Sequence, residues 1–343
     1  MEKFEHGGKV YDKFGKVGKF LDFSANINPL GLSEKIRQIL AENFDGIVNY
    51  PDPDATELKN SISRHYKIAK ENLILLNGAA EFFYLYCNVF RPKKVLIPVP
   101  SFSEYERAAK SSGAEVEFFF TYAEENFKLD VEKLLRKNAD CLIIGRPNNP
   151  TGNLISAEEI LRLSEKFSVV VDESFIDFLP TESVRNFLSE KIFVVQSLTK
   201  IFAIPGLRLG FATTEKKFAE RLNFAKDVWN VNFLAQKAGV AALSDEKFLQ
   251  DTRNWLEVEK KYFAEKLGKF DGVKIFQPSV NFILIMLESE EAARKILNGL
   301  REKKILVRNC TNFPGLDERF LRMAIRTRKE NDLLLKEFSA IIK

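Results

Sequence analysis

Histidine is almost missing from this chain: His6 and His65 are the only two among 343 residues. A histidine-built metal centre or a histidine-based hydrolase triad has little to be made from. Cysteine is equally sparse. Cys87, Cys141 and Cys310 lie far apart, odd in number and without metal-ligand spacing, which argues against a disulfide framework and suits a reducing compartment. No uninterrupted apolar stretch approaches the ~20 residues needed to cross a bilayer, and the opening MEKFEHGGKV has no apolar signal core. Neither sign of charge dominates: 52 basic and 48 acidic residues leave +4, so nothing general points to nucleic acid or membrane. A cytoplasmic enzyme with local anion sites is the expectation.

Hydrophobic residues, in contrast, reach 45%, with 31 phenylalanines, enough for a sizeable core in one large or two ordinary domains. Short β-branched runs alternate with amphipathic ones through the middle, the pattern of an α/β domain with a mostly parallel sheet. Strands are predicted over 73–76, 95–98, 141–145, 169–172, 192–196 and 209–213, and helices over 80–90, 103–112 and 157–166. From residue 245 the character changes to a long charged helix, 245–267, then strands over 281–287, 305–309 and 320–325. The expected organisation is an arm over 1–29 that is also part of a small domain, a large domain over 30–244, and a smaller α+β domain over 245–343.

Ligands of an open parallel sheet gather beyond the carboxyl ends of its strands, so the residues there come first. Lys200 lies in SLTKIFAIPGLRLG, between Ser197 and Arg208. An ε-amine is useful as a nucleophile when burial or neighbouring cations depress its pKa, or when an aldehyde cofactor stores it as a Schiff base. Asn77-Gly78-Ala79-Ala80 precedes a helix-forming run, where small residues expose backbone N–H groups to an anion; an ordinary turn reads the same way. Phe102 follows the 95–98 strand and is either a core ring or a ring that lies on a heterocycle. The heptad Arg146-Pro147-Asn148-Asn149-Pro150-Thr151-Gly152 holds an amide rigidly enough to meet a phenolate, or simply makes a turn. Asp172 ends an apolar run, where a lone carboxylate is costly unless it caps a helix or faces a cation.

Taken in order, PNNPTG, DESFIDF and SLTKIFAIPGLRLG resemble the fold-type I pyridoxal-phosphate enzymes of the class I/II aminotransferase superfamily, over nearly the whole chain. The resemblance implies a large domain with a mostly parallel seven-stranded sheet plus a smaller α+β domain. It implies that Lys200 carries pyridoxal 5'-phosphate, with Asp172 on the pyridinium, Asn149 on the phenolate oxygen and Phe102 on the ring. Gly78, Ala79, Ala80, Ser197 and Arg208 would hold the phosphate. A homodimer with shared active sites is implied too, in which Tyr50 of NYPDP reaches the neighbour's phosphate. Arg322 of RMAIRT matches an arginine that grips an anionic group of the substrate.

Two branches fit best, histidinol-phosphate aminotransferase and threonine-phosphate decarboxylase of the cobalamin pathway. The opening HGG and the segments DFSANINPLG, NFPGL and RMAIRT lie closer to the decarboxylase. Phe175 stands where the aminotransferases commonly place a tyrosine hydroxyl near the phenolate. Both branches imply a small phosphorylated substrate and hence a second anion site, for which His6, Asn26, Arg146, Arg308 and Arg322 are candidates. His6 also reads as a plain tail, and Arg146 and Arg308 as structural ion pairs. The expected reaction is decarboxylation of phosphothreonine to aminopropanol phosphate; transamination, or a protein that keeps the fold without catalysis, are the competing readings.

Overall fold

The structure is a computed structural model that describes residues 6–11, 14–187 and 189–342. A two-residue strand, β1 (Leu21–Asp22), precedes the seven strands of the main sheet: β2 (Leu73–Leu76), β3 (Lys94–Val99), β4 (Glu115–Phe120), β5 (Cys141–Gly145), β6 (Ser168–Asp172), β7 (Ile192–Ser197) and β8 (Gly210–Thr213). Their spatial order is β2-β8-β7-β6-β5-β3-β4. All pairings from β7 across to β4 are parallel, and β8 alone runs against its two neighbours. The expected mostly parallel seven-stranded sheet is thus present.

Alternation along these strands builds the layers, because successive side chains point to opposite faces. Val95 and Ile97 of β3, Ile143 of β5 and Val195 of β7 join one buried cluster, with Phe82, Phe83 and Tyr105. Leu96, Leu142, Ile144 and Val194 join another, with Ile160 and Leu163 of the helix Ala157–Lys166. Buried on both faces, the central strands read as continuous apolar runs, which is why their positions were legible.

Beyond the helix Glu246–Leu267 come β9 (Val273–Phe276), β10 (Phe282–Leu287), β11 (Ile305–Leu306), β12 (Arg308–Asn309) and β13 (Phe320–Ala324). Four of them form an antiparallel sheet in the order β12-β13-β10-β9. Two expectations are corrected here. The strand expected over 305–309 is split between two sheets, since β11 pairs with β1 while β12 pairs with β13. Nor is the N-terminal segment free of sheet: Leu21 pairs with Ile305 and Asp22 with Leu306. A two-residue strand has no period to read.

Besides β1, two strands went unpredicted, β4 and β9, and both are edge strands. In β4, Glu115 and Glu117 interrupt the apolar pattern and pair with Lys94 at 3.0 and 2.8 Å. Charges on an edge prevent pairing with other chains, and they also mask the strand signal. Among the described residues no helix is long and apolar enough to cross a membrane.

Candidate functional site

Parallel strands present their carboxyl ends at one edge of the sheet, so the loops after β2, β3, β5, β6 and β7 meet there. The reversed strand β8 has its beginning at that edge, opposite Leu76 on one side and Ser197 on the other. Arg208, just before β8, thereby joins residues that follow the other strands. Its backbone is left-handed, φ 58° and ψ 73°, a conformation that costs a non-glycine residue energy.

Thirteen residues surround an inner cavity of about 120 Å³, among them Ala79, Ala80, Phe102, Asn149, Asp172, Phe175, Ser197, Lys200 and Arg208. At one wall, the helix Ala80–Phe90 begins without a side-chain cap; the Glu81 and Phe82 N–H groups turn back to the Gly78 and Ala79 carbonyls at 3.2 and 3.1 Å, which leaves the turn at Ala79 and Ala80 to meet an anion. Gly78 makes the approach possible. Its φ is +82°, and a Cβ there would stand 2.3 Å from the Arg208 Nη2. Ser197 Oγ contacts Thr199 Oγ1 at 2.8 Å, and Thr199 Oγ1 accepts from Lys200 Nζ at 3.2 Å.

Lys200 is depressed from the usual lysine range to about 8, first by burial and then by the Arg208 charge, with Asp172 opposing and Arg322 adding to the shift. Across the cavity, Asp172 Oδ1 accepts from the Ser174 N–H at 2.9 Å and Oδ2 from the Tyr105 hydroxyl at 2.6 Å. Burial still outweighs these bonds and pushes the carboxyl above its ordinary value. A cation beside it would offset that cost.

A phosphate, a flat ring, a ring nitrogen and an aldehyde therefore each find a partner of the right chemistry. The phosphate suits the uncapped helix end with Ser197 and Arg208; the ring suits Phe102; a protonated nitrogen suits Asp172; the aldehyde suits the Lys200 amine. Pyridoxal phosphate fits this set.

An outer cavity of about 710 Å³ shares Ala80, Phe102, Asn149, Phe175, Lys200 and Arg208 with the inner one and adds His6, Asn26, Arg107, Arg308 and Arg322. Arg308 and Arg322 face each other directly across the β12–β13 ladder, and both are buried, 7% and 6% exposed. Like charges directly opposite are unfavourable unless an anion lies between them. Arg322 donates to Asn149 Oδ1 and, at 2.7 Å, to the Ser24 carbonyl, while its Nε is buried without a partner. Burial and Arg308 lower its pKa to about 10. Asn26 is held by its carbonyl, which accepts from Asn281 Nδ2 at 3.0 Å, and its own Oδ1 is buried without a partner.

The N-terminal segment closes one side of this cavity. His6 Nε2 lies 2.9 Å from Glu104 Oε1, and its ring centroid is 5.4 Å from that of Phe102. Tyr84 donates to the other Glu104 oxygen at 2.6 Å. Burial works against the Glu104 carboxylate, but the bonds from His6 and Tyr84 outweigh it and hold the group below its usual range.

Two sequence candidates are elsewhere. Arg146 lines neither cavity; it is 1% exposed and donates to Glu173 Oε1 at 3.2 Å and, through Nε, to the Ile155 carbonyl at 2.8 Å. Its assignment to substrate binding is therefore corrected to a buried structural pair. The ring of Tyr50 is exposed and stacks on Trp229, centroids 4.3 Å apart, outside both cavities of its own chain. Tyr105, Glu104 and Thr199 were missed. Tyr105 is three residues beyond Phe102, which on a helix start places both on one side.

The aminotransferase class I and II family model matches residues 18–338. The threonine-phosphate decarboxylase of Salmonella typhimurium is 33% identical, covering 96% of this chain and 94% of its own. The crystal structure of the histidinol-phosphate aminotransferase from Clostridium acetobutylicum is 34% identical, with a TM-score of 0.87 over 94% of this chain and 99% of that one. That of L-threonine-O-3-phosphate decarboxylase from Porphyromonas gingivalis is 29% identical, with a TM-score of 0.82 over 93% and 98%.

Proposed function

The chain belongs to the aminotransferase class I and II family and is a pyridoxal-phosphate enzyme; on that premise we propose that it decarboxylates a phosphorylated α-amino acid, O-phosphothreonine. The observation that carries this reading is the Arg308–Arg322 pair, two buried guanidinium groups side by side at the mouth of the cofactor cavity. A substrate with a carboxylate and a phosphate brings two anionic groups to them. Histidinol phosphate brings one.

Bound pyridoxal phosphate supplies an aldehyde carbon and a protonated ring that accepts the electron pair left at the α-carbon when one of its bonds breaks. Residues of the chain decide which bond that is. Arg322, fixed by Asn149 and the Ser24 carbonyl, would hold the substrate carboxylate and, by orienting it, set which bond at the α-carbon breaks. Arg308, Asn26 and His6 then face the phosphate end. Phe175, with an aromatic neighbour in Phe282 at 5.0 Å, offers the phenolate side no hydroxyl. With an amine pKa of about 8, Lys200 can return a proton to the α-carbon after carbon dioxide departs. Asp172 would hold the ring nitrogen in its charged form.

Transamination is the second reading. Relatives named histidinol-phosphate aminotransferase recur at 27–31% identity, and the depressed amine of Lys200 equally suits removal of an α-proton. An amino donor with two carboxylates would also meet both arginines. We further propose that residues 1–29 and 245–343 form the smaller domain, and that Tyr50 serves a partner copy in a homodimer. Purified holoenzyme given O-phosphothreonine should release carbon dioxide. No release, together with glutamate formation from histidinol phosphate and 2-oxoglutarate, would establish the second reading instead.

A further inference from the structure

Asp172 is the residue whose charge the cofactor ring depends on, yet its surroundings push it toward the neutral acid. Two residues donate to its carboxylate. Ser174 does so through its backbone N–H at 2.9 Å on Oδ1, and Tyr105 through its hydroxyl at 2.6 Å on Oδ2. The Ser174 side chain bonds the carboxylate as well, but Ser174 lies two residues along the same chain segment, whereas the Tyr105 hydroxyl comes from a different element, the helix Glu104–Ser111.

Tyr105 is 1% exposed, and its orientation does not depend on the hydroxyl. Its ring meets Phe83 edge-on at 4.8 Å and Phe102 at 5.7 Å, and its backbone N–H donates to the Phe102 carbonyl at 3.2 Å. Gly145, at the end of β5, leaves the hydroxyl its space: a Cβ there would lie 3.4 Å from it. The phenol is thus delivered to one oxygen of Asp172 by a rigid aromatic wall that also carries the ring-stacking Phe102.

Resting on the pyridoxal-phosphate reading, we propose that Tyr105 is a positioning residue that fixes where the proton shared by Asp172 and the cofactor's ring nitrogen resides. A hydroxyl that donates to a carboxylate stabilises its anionic form. The shared proton then stays on nitrogen, and the ring keeps its full capacity to take up electrons. Without the hydroxyl, the buried carboxyl is the better base, and the proton moves toward Asp172. The same bond turns the carboxylate so that its remaining lone pairs face the cavity. Burial and the neighbouring Asp172 hold the phenol well above its ordinary pKa, so it remains a donor.

The test is Tyr105→Phe, which keeps every ring contact, read by nitrogen NMR of the enzyme loaded with pyridoxal phosphate labelled with 15N in the ring. Wild type should show the protonated nitrogen. The variant should show the resonance displaced toward the unprotonated position, with cofactor affinity weakened about tenfold. 3-Fluorotyrosine at position 105, a stronger donor, should move the resonance the other way. It keeps the proposal testable if Tyr105→Phe does not fold. A resonance unchanged in whichever variant folds overturns the proposal while leaving the cofactor reading intact. Failure of wild type to bind pyridoxal phosphate overturns both.

Discussion

Lys200 is held between opposing demands, since burial and Arg208 expel its proton while Asp172 retains it. The net depression from 10.5 to about 8 has a direct consequence for the apoprotein. Below that pH the amine is protonated and unreactive, and above it the free amine captures an aldehyde. Trapping of pyridoxal phosphate by borohydride should therefore rise with pH through a midpoint near 8 and level off above it. An undisturbed lysine would have its midpoint at about 10.4. At Arg322, replacement by lysine keeps a charge but not the fork that spans Asn149 and Ser24. kcat/KM should fall by an amount equivalent to about 1.5–3 kcal/mol, measured in steady-state assays against the cognate substrate.

Single residues were legible in the sequence where their neighbours along the chain spoke for them. Lys200 has Ser197 and Arg208 in one run, and Asp172 ends an apolar strand. Tyr105 was illegible because its partner is 67 positions away. Arg146 was misread for the opposite reason: a prominent motif made it look functional, while its guanidinium turns back into the protein toward Glu173 and Ile155.

At the scale of elements, the phosphate wall depends on one turn. Gly78→Ala must place a methyl group 2.3 Å from the Arg208 guanidinium at a φ of +82°. Cofactor affinity, followed by fluorescence titration, should drop at least tenfold, and the thermal transition of the apoprotein should shift less than that of the holoenzyme. The loop carrying Asn149 has its own anchor. Arg146 and Glu173 tie that loop to the end of β6, and Glu173 also accepts from the Val184 N–H at 2.8 Å and Gln196 Nε2 at 3.2 Å. Arg146→Met removes one charged donor from Glu173, which keeps the Ser183 hydroxyl, the Val184 N–H, Gln196 and the nearby Arg185 charge; the loss should cost about 1.5–3 kcal/mol of stability in denaturant unfolding. KM should change little in the molecules that remain folded. Buried strands and the strong amphipathic helices were readable from their periods. The edge strands β4 and β9 were not: Glu115 and Glu117 protect the edge of β4 and mask its apolar run, and β9 is only four residues long with Lys274 among them.

The whole molecule assembles a site that no single segment contains. The large sheet brings Lys200, Asp172 and Arg208 to one edge, the C-terminal sheet sets Arg308 against Arg322, and the N-terminal segment brings His6 onto Phe102 and Glu104. Order along the sequence predicted the first group; the cross-strand register of the two arginines could come only from the folded chain. The exposed apolar set Phe44, Ile47, Val48, Tyr50, Val228 and Trp229 is the surface proposed to meet a second copy. Val48→Glu should shift sedimentation from dimer to monomer.

The most direct test of the account is the reaction of holoenzyme with an excess of O-phosphothreonine and no oxo acid, following both carbon dioxide and the form of the cofactor. Decarboxylation predicts more carbon dioxide than enzyme, with the aldehyde form of the cofactor regenerated. Stoichiometric pyridoxamine phosphate without carbon dioxide would contradict it.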